Sequence, residues 1–223
     1  MLTLDTPMLG QEVALSQVSK ALRNLWADAE SKTRASLMNF VIYCEDIDSL
    51  PRNTQLLIDL TQEHSCRAIL IVNKPDAAPQ PPRAWVTAHC QLREGKRSVC
   101  CEQLSFALEG AGADEVRNVI FAHLDSDLPL VVLWQGELSA RLDERLYSVI
   151  DSLIIDSSQW QQPAESFGRL LEARASRTSR FSLCDLSWMR SHFMRTALAS
   201  ASQDSALLAA LGTVTSLRVT HAP

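Results

Sequence analysis

The chain has 223 residues, of which 46% are hydrophobic and 21% charged, with 21 basic and 26 acidic side chains and a net charge of −5. A chain of this length can bury a core of its own and forms one large domain, or one domain with a small appendage. The negative charge argues against a protein that wraps nucleic acid or lies on anionic lipid, because those partners require a clustered cationic field.

The first part of the chain reads as a helix followed by a βαβ unit. Apolar side chains recur every three or four residues over residues 11–30, which is the spacing of one helical face. Residues 37–44 are rich in β-forming side chains, and Pro51 opens a helix because proline is tolerated in a first helical turn. Branched aliphatic side chains fill residues 68–72, as in a parallel strand covered on both faces.

An antiparallel insert follows. Residues 74–82 contain four prolines, so they are predicted to form a loop rather than a helix or a central strand. Residues 85–92 and 98–108 alternate imperfectly around the polar connection 93–96, which contains one glycine. This pattern predicts a β-hairpin.

Helices and strands then alternate regularly to residue 175. The predicted elements are helix 114–124, strand 130–134, helix 142–150, strand 153–155 and helix 164–175. The alternation predicts an α/β fold with a layered, mostly parallel sheet flanked by helices and an antiparallel hairpin insert. Residues 1–180 would form this α/β domain, and residues 181–223 would add a helical segment and a terminal strand at 214–220, as the start of a truncated C-terminal domain would.

Localisation follows from what the chain lacks. Residues 1–10 contain no basic side chain and no continuous apolar segment, so they do not resemble a secretory signal. The longest uninterrupted apolar stretch, residues 128–134, is far shorter than the roughly 20 residues of a membrane helix. The six cysteines form no C-x-x-C pair, which in an unexported chain predicts reduced thiols. We therefore expect a cytoplasmic protein that does not cross a membrane.

Each of three predicted parallel strands is followed by acidic or polar side chains: Glu45-Asp46, Gln135 with Glu137, and Asp156-Ser157. Open α/β sheets bind ligands at the carboxyl ends of their strands, and carboxylates suit hard cations, so a metal or phosphosugar site is one interpretation. The other is that these side chains cap the helices that follow.

No motif predicts catalysis or a cofactor. The one candidate phosphate loop, Gly110-Ala111-Gly112, has Glu115 where a dinucleotide motif needs its third glycine, and Asp114 would repel a pyrophosphate. We interpret it as a helix cap. The histidines and cysteines lack the spacing of a zinc site, and no serine lies in a hydrolase elbow. We expect no enzyme, no cofactor and no metal.

Two further groups remain open. Cys100 and Cys101 lie in a predicted strand, so one thiol should face the core and the other should be more exposed; the pair is either structural or redox-active. Trp188 lies near Arg180, Arg190 and Arg195, residue types that are favoured at protein interfaces. Alternatively, Trp188 lies in the core beneath a solvated helix face.

Six strings in order resemble the OpcA family of bacterial glucose-6-phosphate dehydrogenase assembly proteins. They are residues 33–41 (TRASLMNFV), 64–69 (HSCRAI), 100–103 (CCEQ), 127–134 (DLPLVVLW), 155–157 (IDS) and 185–188 (DLSW). Their order over most of the chain is far more specific than any one of them. Members of the family usually continue into a further C-terminal part, which agrees with the terminal strand expected at 214–220.

The resemblance implies a non-catalytic allosteric activator that binds glucose-6-phosphate dehydrogenase, the entry enzyme of the oxidative pentose phosphate pathway, and favours its active oligomer. It also implies a link to redox control, with Cys100 and Cys101 as candidates. The candidate partner- or ligand-binding residues are Arg34, Ser36, Asn39, Arg67, Asp156, Ser157, Asp185, Trp188 and Arg190.

Two other hypotheses stand beside the assembly factor. A phosphosugar- or nucleotide-binding sensor domain would place its site at the carboxyl edge of the sheet, where Arg34, Arg67 and Asp156 would converge. A thiol switch would depend on Cys101.

Overall fold

The structure is a computed structural model that describes residues 9–27, 32–34, 36–93, 97–176 and 180–216. Its strands are β1 (Gln11–Val13), β2 (Lys32–Arg34), β3 (Asn39–Cys44), β4 (Arg67–Lys74), β5 (Gln80–Arg93), β6 (Arg97–Glu109), β7 (Leu130–Trp134), β8 (Ser152–Ile155) and β9 (Ser182–Asp185). Its helices are α1 (Val18–Ala27), α2 (Leu50–Glu63), α3 (Ala113–His123), α4 (Glu144–Tyr147), α5 (Pro163–Ala175), α6 (Leu186–Arg190), α7 (His192–Ala201) and α8 (Ser205–Leu211).

These nine strands form one sheet in the order β1-β5-β6-β4-β3-β7-β8-β9, and β2 lies beside β6. Among them, β1 with β5 and β5 with β6 are antiparallel, and the other neighbouring pairs are parallel. The predicted α/β fold, with its mostly parallel sheet and antiparallel hairpin, is confirmed.

The direction of winding reverses at the centre of the sheet. The chain first runs from β3 to β4 and on to β6, and later returns to place β7 on the other side of β3. The segments that follow β3 and β7 lead to opposite faces of the sheet: α2, after β3, packs on one face, and α4, after β7, packs on the other. A crevice opens between such segments in doubly wound sheets.

The core lies on both faces of this sheet. All six residues of β3 are buried, as expected of a central parallel strand. Val41 and Tyr43 face the cluster that includes α1, α3 and α5, whereas Phe40 and Ile42 face the cluster that includes α2. The alternation of side chains along the strand thus fills two cores with one continuous apolar run.

The prediction of a single helix over residues 11–30 is wrong at its start. Residues 11–13 form β1, which pairs with β5, and α1 begins only at Val18. Pairing with a sheet edge overrides the helical spacing, because helix propensity is a weak preference. Gly10 enters this strand at φ 88°, and an added Cβ would lie 2.4 Å from the carbonyl oxygen of Val86, so only glycine fits there.

The carboxyl-terminal part differs from the prediction in three ways. Of residues 142–150, which were predicted to form one helix, only Glu144–Tyr147 are helical, and they form α4. The short strand β9 was not predicted, and it extends the sheet beyond residue 180. Residues 214–216 form no strand, and the remainder of the strand predicted to residue 220 lies outside the described residues. The division of the chain at residue 180 stays a prediction.

Candidate functional site

A crevice lies where β3 and β7 end, beside the first turns of α2, and its volume is about 900 Å³. Cys44 and Leu133 form part of its buried lining, and Leu56, which is 40% exposed, lines the wall on α2. Exposed polar side chains, among them Arg52 and Asp59, surround the opening. The size and position are those of small-molecule sites in doubly wound sheets.

A reciprocal amide pair holds the two sides of the crevice together. The side-chain amide of Asn53 donates to Gln135 Oε1 at 2.8 Å, and Gln135 donates back to Asn53 Oδ1 at 2.8 Å. Asn53 also donates to Ser49 Oγ at 3.2 Å and is fully buried. These bonds fix α2 to the end of β7, so the crevice is formed before any ligand arrives.

Asp46 and Glu137, two of the carboxylates that follow the strands, act as caps, as one of the two interpretations proposed. Asp46 accepts a hydrogen bond from the backbone N–H of Asp48 at 2.9 Å, at the start of a short 3₁₀ helix. Glu137 accepts one from the N–H of Gln162 at 2.9 Å and another from the Ser166 hydroxyl, at the start of α5. Burial raises the pKa of Glu137, but these hydrogen bonds outweigh burial and the net pKa lies below its usual range.

The glycine pair also caps a helix. Gly112 is the residue before α3, and its backbone N–H donates to the Glu115 carboxylate at 3.0 Å. The first turn of α3 therefore already has an anionic partner, and Asp114 adds a second negative charge there. The interpretation as a helix cap is confirmed.

A polar network lies behind the crevice, on the face of α3. The Tyr43 hydroxyl donates to Glu45 Oε1 at 2.6 Å, and Arg141 pairs with the same oxygen at 3.2 Å. Asn73 donates to the Tyr43 oxygen at 3.2 Å, and the Tyr43 ring stacks on Trp134 with centroids 4.0 Å apart. Burial raises the pKa of Tyr43, so its proton stays on the phenol at neutral pH.

Four of the predicted site residues meet beyond β8 and β9. Asp185 accepts hydrogen bonds from the Ser157 backbone at 3.1 Å and from the Ser157 hydroxyl at 2.6 Å. Arg190 pairs with Asp156 Oδ1 at 2.5 Å and donates to Ser158 Oγ at 2.8 Å. Burial raises the pKa of Asp156, but the bonds from Arg190 and Ser158 outweigh burial and hold its pKa below the usual value.

These bonds hold α6 at the edge of an apolar surface. We call it the α6–α7 surface; its side chains are Trp188, Met189, Phe193, Met194 and Leu198. Trp188 is 60% exposed and Phe193 is 85% exposed, so the alternative that places Trp188 in the core is wrong. The Arg195 guanidinium lies 3.5 Å from the centre of the Trp188 ring and donates to the Trp188 carbonyl, which fixes the indole in place.

Asn39 and Ser36 lie at the opposite, amino end of the sheet. Asn39 is buried, and its amide donates to the carbonyl oxygens of Asp125 at 2.9 Å and Leu128 at 3.0 Å. It also accepts from the Asp125 N–H at 2.8 Å, so all its bonds hold the loop before β7. The hydroxyl of Ser36 is buried without a partner among the described residues. The side chain of Arg34, in β2, lies outside the described residues.

The convergence of Arg34, Arg67 and Asp156 is wrong. Arg67 begins β4 and is the register partner of Asn39, at the amino end of the sheet, whereas Asp156 follows the carboxyl end of β8. Arg67 pairs instead with the buried Glu102 at 3.2 Å, and Glu102 accepts from Trp26 Nε1 at 2.7 Å. Parallel strands place all first residues at one edge, so Arg67 and Asp156 cannot share a site.

The cysteines also depart from expectation. Cys90 and Cys100, opposite each other in the hairpin, form a disulfide, so the prediction of reduced thiols is wrong for this pair. Cys100 and Cys101 are both buried, at 0% and 2% exposure, because both faces of β6 are covered there. The expectation that one of the two would be exposed is therefore wrong. Cys90 is the exposed member of the disulfide.

Neither a metal site nor a membrane-spanning helix is found in the part of the chain that the structure describes. In the described ranges, no group of three or more histidine, cysteine or acidic side chains is arranged to hold a metal ion. Of the helices described, none combines the length and apolarity that crossing a bilayer requires.

Residues 58–172 match the family model whose description is glucose-6-phosphate dehydrogenase subunit N-terminal domain. The match covers more than half of the chain, from the second half of α2 to α5. The chain belongs to this family, OpcA. No curated protein matches the sequence.

The OpcA match covers only part of the candidate site. Gln135 and Asp156 lie within the matched residues, whereas Asp185, Trp188 and Arg190 lie beyond them. The floor of the crevice is thus partly inside the OpcA domain, and the α6–α7 surface lies after it.

Two features of this OpcA member were not predicted from the sequence, although each has a signal there: the buried amide of Asn53 and the pairing of Cys90 with Cys100. Asn53 is a polar side chain among the buried positions of α2, one turn before Leu57. Cys90 and Cys100 are equally distant from Gly95 in the predicted hairpin, so a symmetric register brings them opposite each other.

Proposed function

We propose that this protein binds glucose-6-phosphate dehydrogenase and favours its active oligomer, with no reaction of its own. Membership in a family described as a glucose-6-phosphate dehydrogenase subunit supports this choice of partner. The protein would act in the cytoplasm as an allosteric activator of the oxidative pentose phosphate pathway.

The α6–α7 surface is the proposed contact. Its large apolar side chains are more than half exposed, and α7 buries none of its residues. These five side chains lie within eleven residues of the chain, on two helices that contact each other, and exposed apolar clusters mark interaction sites on soluble proteins. Trp188 is a rigid aromatic anchor flanked by Arg190 and Arg195, and these residue types dominate binding energy at interfaces.

The polar bonds behind this surface would make it rigid before binding. Asp185 bonds to Ser157, and Asp156 bonds to Arg190, so the ends of β8 and β9 both hold α6. A surface that is already ordered loses less conformational entropy on binding. In this proposal Asn39 and Arg67 support the fold at the other end of the sheet and do not touch the dehydrogenase.

Activation would follow from unequal affinity. If the protein binds the active oligomer more tightly than the inactive form, it shifts the population by that difference in affinity and by no more. A hundredfold difference corresponds to about 2.7 kcal/mol, which is enough to convert a minor oligomer into the main one.

The test is size-exclusion chromatography with light scattering on a mixture with the dehydrogenase of the same organism, with activity measured across the peak. We expect co-elution and raised activity for the native chain. Phe193→Asp places a charge in the proposed contact and should weaken binding at least tenfold. Leu171→Asp is the matched control, because Leu171 is 68% exposed but lies on α5, so it should bind normally.

Separate elution of the native chain with unchanged dehydrogenase activity would contradict the proposed function. Normal binding by Phe193→Asp, or an equal loss in the control, would instead contradict the location of the contact. Circular dichroism of both variants checks that the fold is retained, as expected because both side chains are exposed.

We also propose that any redox dependence of this function resides in the Cys90–Cys100 disulfide. Cys101 is buried and therefore poorly accessible to an oxidant or a thiol, whereas Cys90 is exposed. A reductant would attack the disulfide at its Cys90 side. In this proposal the redox switch is the Cys90–Cys100 disulfide and not the Cys101 thiol.

A further inference from the structure

The crevice beside α2 has the features of a ligand site that assembly with the dehydrogenase does not use. It lies on the face of the sheet that carries α2, and the Asn53–Gln135 pair fixes its walls. Its volume of about 900 Å³ falls in the range of sites that enclose most of a small organic molecule. A preformed cavity of this size requires little reorganisation on binding.

The lining predicts the shape of the ligand. Leu56, Leu133 and Leu186 present aliphatic side chains to the crevice, and aliphatic side chains pack well against the flat face of a ring. Polar groups lie around them, including the carboxylate of Asp59 and the amide of Gln159. A carboxylate accepts several hydrogen bonds, so it suits hydroxyl or amino donors at the rim of such a ring.

The charges of the crevice lining predict that the ligand carries no phosphate. Among the described residues, the lining has four carboxylates and the cation Arg52. Arg141 and Arg190 pair with Glu45 and Asp156 from outside the lining, so the negative charge that remains free lies on Asp46 and Asp59. The segment between β3 and α2 carries Asp46 and Asp48 at the position where a dinucleotide-binding sheet has its glycine-rich phosphate loop. A phosphate placed there would meet negative charge instead of free backbone N–H groups.

We propose that this crevice binds an unphosphorylated, hydroxylated ring compound of the size of a nucleoside or a disaccharide. From the sequence, a phosphosugar or a nucleotide is the expected ligand at this edge of the sheet. The uncharged sugar or nucleoside is the better ligand, because the charges of the lining disfavour a phosphate but do not disfavour the ring. This proposal does not depend on binding of the dehydrogenase, and its test contains no dehydrogenase.

The test is thermal unfolding of the full chain, confirmed by isothermal titration calorimetry, with three uncharged probes: adenosine, cytidine and maltose. Their phosphorylated counterparts are AMP, CMP and maltose 1-phosphate. At a ligand concentration of 100 Kd we expect the melting temperature to rise by about 5–10 °C. Each phosphorylated counterpart should bind at least tenfold more weakly. A response to the nucleosides alone or to maltose alone identifies the source of the ring, and either supports the proposal.

Leu56→Glu adds a fifth carboxylate at the crevice on an exposed helix position, and it should remove the response. Leu171→Glu on α5 carries the same change away from the crevice and should respond like the native chain. The proposal is overturned if none of the uncharged probes raises the melting temperature. It is also overturned if the phosphorylated compounds bind as tightly, or if Leu56→Glu responds normally.

Discussion

Single buried polar side chains determine how firmly the two sides of the crevice are joined. Replacing Asn53 with Leu leaves the Gln135 amide without its two bonds and puts an apolar group against Ser49. The Gln135 amide is half-buried, so losing its partner should cost about 1 kcal/mol, the lower end of the range for unpaired buried groups, and the free energy of unfolding should fall by that amount. Urea denaturation measures it.

The control for Asn53 lies on the same helix. Gln55 is exposed and donates to Asp59 on the surface, so Gln55→Leu should change the free energy of unfolding by about 0.5 kcal/mol or less. Equal effects of the two substitutions would show that the amide pair contributes nothing beyond an exposed hydrogen bond.

The disulfide is the second residue-level feature. It closes a short loop between residues 90 and 100, for which chain-entropy estimates give roughly 2–3 kcal/mol of stabilisation. Cys90→Ser should therefore lower the urea midpoint under oxidising conditions and have little effect when dithiothreitol is present. Cys184→Ser, at a free cysteine, keeps the disulfide, so its midpoint should fall on addition of dithiothreitol by as much as that of the native chain. A native midpoint that ignores dithiothreitol would argue against the disulfide.

At the scale of elements, the sequence predicts those whose signal is local. The apolar run of β3 predicts a central strand, because such a strand must be apolar on both faces. The alternation of strands and helices predicts β7, β8 and α5 in the same local way. β1 and β9 have no such signal, since each is a short edge strand of mixed polarity that exists only through pairing with β5 or β8. The separation of Arg67 and Asp156 did not depend on strand order: Arg67 begins a strand and Asp156 follows one, and parallel strands place these positions at opposite edges.

The site follows the same rule. Side chains that act on their own neighbours, such as the caps Asp46 and Glu115, could be predicted because the bond spans two or three residues. The Asn53–Gln135 pair joins residues 82 positions apart, and only the assembled sheet brings them together.

The helices α6, α7 and α8 have no buried residue among those whose side chains are described. Elements with few buried contacts open locally at little cost. In hydrogen exchange, the amides of α7 should therefore exchange orders of magnitude faster than those of β3 and β4, which open only by global unfolding. Addition of the dehydrogenase should slow exchange in α7. Equal protection of α7 and β3 in the free protein would contradict this prediction and would mean that another part of the chain covers α7.

At the scale of the whole molecule, stability should fall in two steps as the pH is lowered. The first step comes from His123, whose ring stacks on Phe106 with centroids 4.9 Å apart. Burial, and the nearby positive charge of Arg67, lower its pKa in the folded state. Below an unfolded value of about 6.5, the unfolded chain therefore binds more protons than the folded chain, and the free energy of unfolding decreases.

The second step comes from carboxylates. The pKa of Glu137 and that of Asp156 are both lowered in the folded state, so the stability they contribute is present at neutral pH and is lost as the pH falls below about 4.5. His123→Phe keeps an aromatic ring against Phe106 and removes the titration. In urea denaturation from pH 7.5 to 3.5, this variant should lose the first step and keep the second. The exposed His64→Gln should keep both steps. A first step that survives in His123→Phe would assign it to another group.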